Sequence, residues 1–185
     1  RGLYVVPGLI NMHTHVFAGG AVGFVDGTSS QLPDAFAPRS GITTVVDAGT
    51  SGWRNFPQFK ERIVDRSITR VLAFLNIAAS GYSIDRAQEN IEEMNAYLTS
   101  ETIKGHPDIL VGVRIGRYEG TDWTPFDRAA EAAQLSNTPL FVECHLPQYS
   151  LKDQLSRMRA GDIITHAFEH VAERMTVVDD QGKVR

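Results

Sequence analysis

Short apolar runs alternate along this chain with longer stretches in which apolar residues recur every three or four positions, the marks of strand and helix respectively. Leu3 to Met12 reads as a first strand, with Pro7-Gly8 as a kink or bulge inside it. Ile42 to Val46, "ITTVV", is β-branched and continuous, as expected of a strand buried on both faces. Residues 69–77 ("TRVLAFLNI"), 109–115 ("ILVGVRI"), 139–145 ("PLFVECH") and 162–166 ("DIITH") bring the expected strands to six. Between them the helical period predicts a helix from Phe56 to Val64, with Pro57 in its first turn. Asp85 is placed to cap a long helix to Lys104, with Ile91, Met94 and Leu98 on one face and Gly105 closing it. Thr124-Pro125 opens a further helix to Leu135, and Ser150 caps one to Arg159. Residues 18–30, "AGGAVGFVDGTSS", read as a loop after the first strand.

Repeated strand–helix units predict a parallel sheet with helices outside it. Six units suit either a doubly wound sheet or most of a (β/α)8 barrel, and the polar residues at the strand ends separate the two. His13 and His15 sit at i and i+2 at the end of the first strand, so their side chains point the same way. A lone pair of this kind is equally an ordinary polar strand end. His145 ends the fifth strand and His166 the sixth, however, where the working residues of a barrel are found. Four imidazoles at one mouth make a candidate site for a divalent metal, zinc first, as one or two ions.

Composition narrows the classes. A length of 185 residues with 42% hydrophobic and 22% charged residues suits one soluble domain. A net charge of −4 without a dense basic run gives no support for nucleic-acid binding, and no apolar stretch reaches the ~20 residues that span a bilayer. The single cysteine, Cys144, excludes an intrachain disulfide and fits a reducing compartment, so a cytoplasmic location is expected. The chain opens at Arg1 directly before a strand-like run and ends in "VVDDQGKVR" without a helical close. The expectation is a partial barrel domain over 1–185, cut at both ends.

"VVPGLINMHTH" resembles the first-strand motif of the amidohydrolase superfamily, metal-dependent hydrolases built on a (β/α)8 barrel. "RSGITTVVDAGTSG" and "RVLAFLNIA" are similar to the second and third strands of its dihydroorotase-like and adenine-deaminase-like branch, some of whose members are deacetylases. "GDIITHAF" resembles the sixth-strand motif of that branch. The resemblance implies that His13 and His15 bind a first metal and His145 and His166 a second. It implies a small-molecule substrate whose amide or ester carbonyl is attacked by metal-activated water. A relic that binds metal without turnover is an alternative. So is lactone or phosphoester hydrolysis, or deamination, on the same scaffold.

Two features depart from the branch. Its fourth strand carries a lysine that CO₂ converts to a metal-bridging carbamate, and Arg114 stands at the matching position. A guanidinium stays protonated and cannot take that role. Glu143, two before His145 and on its face, is a candidate replacement for the bridge, as is Asp47 at the end of the second strand; Glu143 is equally the partner of Arg114 across neighbouring strands. The eighth-strand Asp of the superfamily, its metal ligand and proton shuttle, has no match, nor does its small β domain. The base is therefore unassigned, with Asp47 and Glu143 as candidates. Arg117 and Tyr118, after the fourth strand, are placed to meet a substrate carboxylate. His106 is expected to be an exposed loop residue, His170 to be no ligand, Cys144 to point away from His145, and Trp53 and Trp123 to pack. Six strands of an eight-stranded barrel would leave two open edges, so poor solubility or a homo-oligomer with paired edges is expected.

Overall fold

The computed structural model describes residues 2–17, 30–83, 87–116, 118–143, 149–167 and 178–183. Among them, six strands form one parallel sheet in sequence order: β1 (Leu9–Thr14), β2 (Ile42–Gly52), β3 (Arg70–Asn76), β4 (Leu110–Ile115), β5 (Leu140–Glu143) and β6 (Ile163–Thr165). The sheet curls through 254°, a partial α/β barrel of the (β/α)8 kind. Helices α1 (Pro33–Phe36), α2 (Phe56–Arg62), α3 (Ala96–Gly105), α4 (Thr124–Ser136) and α5 (Leu151–Arg157) connect the strands.

Alternation along each strand sorts the side chains into two layers. Val45, Val71, Ala73, Leu75, Val113, Leu140 and Val142 face the helices, where they meet Phe59, Ile103, Phe126 and Ala133 in the main core. Val46, Ala48, Phe74 and Phe141 face the barrel axis, with Leu72, Val111 and Ile163 around them. The Phe74 and Phe141 rings stack there with centroids 4.5 Å apart. One step further along the same inner faces come His13, Asn76, Arg114, Glu143 and Thr165. The interior therefore passes from an apolar floor to a polar layer at the carboxyl ends of the strands, the end on which sites of such barrels are built.

Several element boundaries differ from expectation. β1 begins at Leu9, beyond Pro7-Gly8, because Pro7 has no N–H to give the ladder. Leu3 to Val6 lie outside the sheet, and Leu9, Ile10 and Met12 remain more than half exposed on this edge strand. The long helix expected from residue 85 begins only at Ala96, with Asn95 as its cap, accepting from Leu98 N at 2.9 Å. Arg128 takes the carbonyls of Ile91 and Met94 through Nη1, so that stretch folds as short 3₁₀ turns and an extended step. Asp85 lies outside the described residues, as does most of the expected loop over 18–30. β2 runs on to Gly52, and α1 adds before it a helical turn that the apolar periodicity does not predict. Ser150 caps α5 as expected, accepting from Asp153 N at 3.1 Å.

Gly112 is where β4 passes closest over the floor. A Cβ there would lie 2.5 Å from the Pro139 carbonyl oxygen and 2.8 Å from the Phe74 ring. Gly112→Ala is expected to cost about 1–3 kcal/mol of stability by overpacking. Urea unfolding followed by circular dichroism reads this as a lower midpoint, and an unchanged midpoint would contradict the packing described.

Candidate metal centre

His13 is the fifth residue of β1 and His15 follows the strand's last residue, so the strand period turns both inward. Their ring centroids are 5.8 Å apart at an interplanar angle of 80°. The His13 ring meets the Phe141 ring edge-on at 5.5 Å, which sets it directly on the apolar floor. His166 follows β6 and holds a left-handed backbone with φ 58°, uncommon for a residue with a side chain. Its ring lies 5.0 Å from that of His13. Thr165 Oγ1 lies 2.9 Å from His13 Nδ1. The two edge strands thus reach each other through side chains, and the strain at His166 is stored where three imidazoles gather. His145 lies outside the described residues.

Beside the histidines runs a buried ion pair. Arg114 has no exposed side-chain surface, and its Nη2 binds Glu143 Oε2, whose side chain is 5% exposed. The Tyr82 hydroxyl donates to the same oxygen at 2.7 Å and accepts from Arg114 Nη2. The guanidinium carbon lies 4.1 Å from the Tyr82 ring centroid, and Nη1 donates to Gln88 Oε1 at 3.4 Å. Glu143 Oε1 lies 3.9 Å from His166 Nε2. Of the two roles open to Glu143, partner of Arg114 is the one this geometry displays. Oε2 is already engaged twice, and Oε1 faces the His166 imidazole. Room for the pair comes from glycine. Gly49 has φ +78°, and a Cβ on it would lie 2.4 Å from Arg114 Cδ.

Asp47 is not placed as a base. It shares the outward parity of Val45 and is fully buried. Its Oδ1 accepts from Thr50 N at 2.7 Å, and its Oδ2 accepts from Val16 N at 2.9 Å and from Thr50 Oγ1 at 2.8 Å. Burial pushes its carboxyl above the usual range, against the pull of these donors and of the Arg114 charge. It braces the turn after β1 against the end of β2. Thr50 in turn lies 3.0 Å from His15 Nδ1 through its Oγ1.

Tyr118 is half-buried and folds over Gly120, where a Cβ would lie 2.3 Å from its hydroxyl. Arg117, Cys144 and His170 lie outside the described residues. His106 is half-buried rather than exposed: it ends α3, its ring 4.7 Å from Phe56 and its Nδ1 3.0 Å from Thr102 O. Trp53 and Trp123 pack against the main core as expected. Sequence reasoning missed Tyr82, Thr50, Thr165 and Gln88. Thr50 was within reach, since Asp followed three residues later by Thr is a side-chain–backbone turn pattern. Tyr82 and Gln88 come from the connection after β3, where no period guides a reading.

Two imidazoles on one tetrahedral ion place their ring centroids roughly 5 Å apart, given Zn–N contacts of about 2.0–2.1 Å. The pairs His13–His15 and His13–His166, at 5.8 and 5.0 Å, lie near that spacing. Among the described residues no three His, Cys, Asp or Glu side chains close on one point. A full ligand set needs donors beyond these.

No protein-family model matches the chain. Curated relatives do. A deacetylase of Brucella anthropi is 27% identical over 175 residues, 91% of this chain and 42% of that protein. A deacetylase of Enterococcus faecalis is 30% identical over 172 residues, 90% of this chain and 45% of that protein. Among solved structures, a dihydroorotase superposes with a TM-score of 0.80 at 27% identity, over 91% of this chain and 46% of that one. An adenine deaminase also superposes with a TM-score of 0.80 at 27% identity, over 97% of this chain and 48% of that one. The chain therefore spans less than half the length of each of these proteins. The matches run along nearly all of this chain: it is a homologue of these deacetylases and shares its fold with the dihydroorotase and the adenine deaminase, as its resemblance to the amidohydrolase superfamily implies.

Proposed function

We propose that this chain carries the metal-binding half of a hydrolase that cleaves an amide or ester bond in a small acylated molecule. The observation that supports this most is the meeting of His13 with His15 and His166 on the inner face of the barrel. In this reading His13 and His15 hold a divalent ion, zinc first, with His166 and His145 as further ligands. When bound, the metal supplies an acidified water and polarises the substrate carbonyl.

The chain's own residues prepare the pocket for that chemistry. Phe141 and Phe74 form a dry floor under His13, which strengthens electrostatic interactions above it. Arg114 and Tyr82 both bind Glu143 and hold it beside His166. His166 is aimed at His13 by a backbone that few residues other than glycine adopt.

A second reading is metal binding without turnover. It is supported by the same ion pair, since a carboxylate already bound to a guanidinium is a poor proton acceptor. Lactone or phosphoester hydrolysis and deamination stay open on this scaffold. A cytoplasmic setting and self-association through the exposed β1 edge belong to the proposal as well.

The test pairs zinc titration with an assay on N-acylated amino acids and O-acylated hydroxy acids. The 185-residue chain is expected to bind zinc, and the His13→Ala, His15→Ala double variant to lose binding by at least 100-fold with its fold retained. Zinc bound without hydrolysis of either substrate class supports the second reading. Zinc bound equally well by the double variant overturns both.

A separate prediction concerns Arg114. A lysine amine reacts with CO₂ to give a carbamate and a proton, whereas the guanidinium does not. Arg114→Lys is expected to raise the metal content measured by elemental analysis when bicarbonate is supplied. The same metal content with and without bicarbonate would show that Arg114 does not stand where a bridge forms.

A further inference from the structure

The Thr50 hydroxyl has one proton and, among the described residues, two polar side-chain neighbours. Oγ1 lies 2.8 Å from Asp47 Oδ2 and 3.0 Å from His15 Nδ1. Asp47 accepts from the Val16 amide and the Thr50 amide, one on each oxygen; burial raises its carboxyl, but these donors and the Arg114 charge favour the ionised form, and an ionised carboxylate can only accept from the Thr50 hydroxyl. The hydroxyl proton is therefore committed to Asp47, and what Thr50 offers His15 is a lone pair. A neutral imidazole meeting a lone pair at Nδ1 must carry its proton there, so its own lone pair sits at Nε2.

We propose that Thr50, held by Asp47, is the positioning residue that fixes His15 in its Nδ1–H tautomer and presents Nε2 to the metal. The tautomer assignment stands on these contacts alone. Its consequence for metal binding rests on the reading above that His15 is a ligand. The arrangement is economical in sequence, because "DAGT" supplies the carboxylate, the turn glycine and the hydroxyl within four residues at the end of β2. The same carboxylate anchors Val16, the residue after His15, so backbone and ring orientation are set by one group. Thr50 touches no reacting atom in this account. Its effect passes through His15.

The experiment is a long-range ¹H–¹⁵N spectrum of the ¹⁵N-labelled chain, freed of metal by chelator, at a pH where His15 is neutral. The His15→Gln spectrum assigns the signal. The expected pattern is protonated Nδ1 and unprotonated Nε2. Thr50→Ser keeps the hydroxyl and should keep the pattern, while Thr50→Val should lose it. Zinc titration of the three proteins should show equal affinity for wild type and Thr50→Ser, and a loss of roughly 10–100-fold for Thr50→Val. An Nε2–H tautomer in the wild-type chain overturns the proposal, even if Thr50→Val fails to fold. So does a folded Thr50→Val with an unchanged tautomer. A correct tautomer in a chain that binds no zinc would leave the positioning role standing and remove the metal reading.

Discussion

A guanidinium without exposed surface is tolerated only beside a charge of opposite sign, and much of the mouth of this barrel is arranged around that requirement. Arg114 rises from the inner face of β4 and Glu143 from the neighbouring β5. Tyr82 comes from the connection after β3 and binds both. Gly49 gives up its side chain so that the arginine stem can pass. Removing one partner of such a pair is generally far costlier than the pair's net worth, because the other charge is left buried alone. The pair is thus better understood as a constraint on its surroundings than as a source of stability. It holds Glu143 in place next to His166, and it sets a permanent positive charge beside the histidines.

Around this constraint the interior is layered by period alone. Residues of one parity on β2 to β5 make the helix-facing core, and those of the other parity make the apolar floor and, a step later, the polar layer. Each histidine owes its direction to a different local device. His13 lies on the floor against Phe141, His15 is held through Thr50, and His166 is turned by its backbone. Independent supports on three segments bring the rings together more firmly than any one contact would, which is what a ligand set requires.

What could be read from the sequence was what periodicity and spacing encode. The apolar runs over 69–77 and 109–115 match β3 and β4 to within a residue at each end, whereas β2 runs six residues past Val46; the rings of His13 and His15, two apart in sequence, lie 5.8 Å from each other. The barrel class followed from strand–helix alternation together with histidines at strand ends. The failures lie where a tertiary contact outweighs a local pattern. Helical spacing through Ile91 and Met94 was overruled by Arg128, which draws their carbonyls away from a continuing helix. Asp47 is by sequence a strand-end candidate for bridge or base, yet three donors occupy it, one of them from the segment after β1, thirty-one residues away in sequence. Arg114 and Glu143 were recognised as a candidate pair, but Tyr82 between them was not, since its place depends on how an irregular connection crosses the mouth.

The central claim is that His13 and His15 offer their Nε2 atoms to one divalent ion above the Phe141 floor. Anomalous diffraction from crystals of the chain grown with zinc, recorded above and below the zinc edge, tests it most directly. The account predicts a peak within bonding distance of both Nε2 atoms, about 2.0–2.1 Å from each. Full occupancy elsewhere on the surface with nothing between His13 and His15, or a zinc bound through His15 Nδ1, would contradict it.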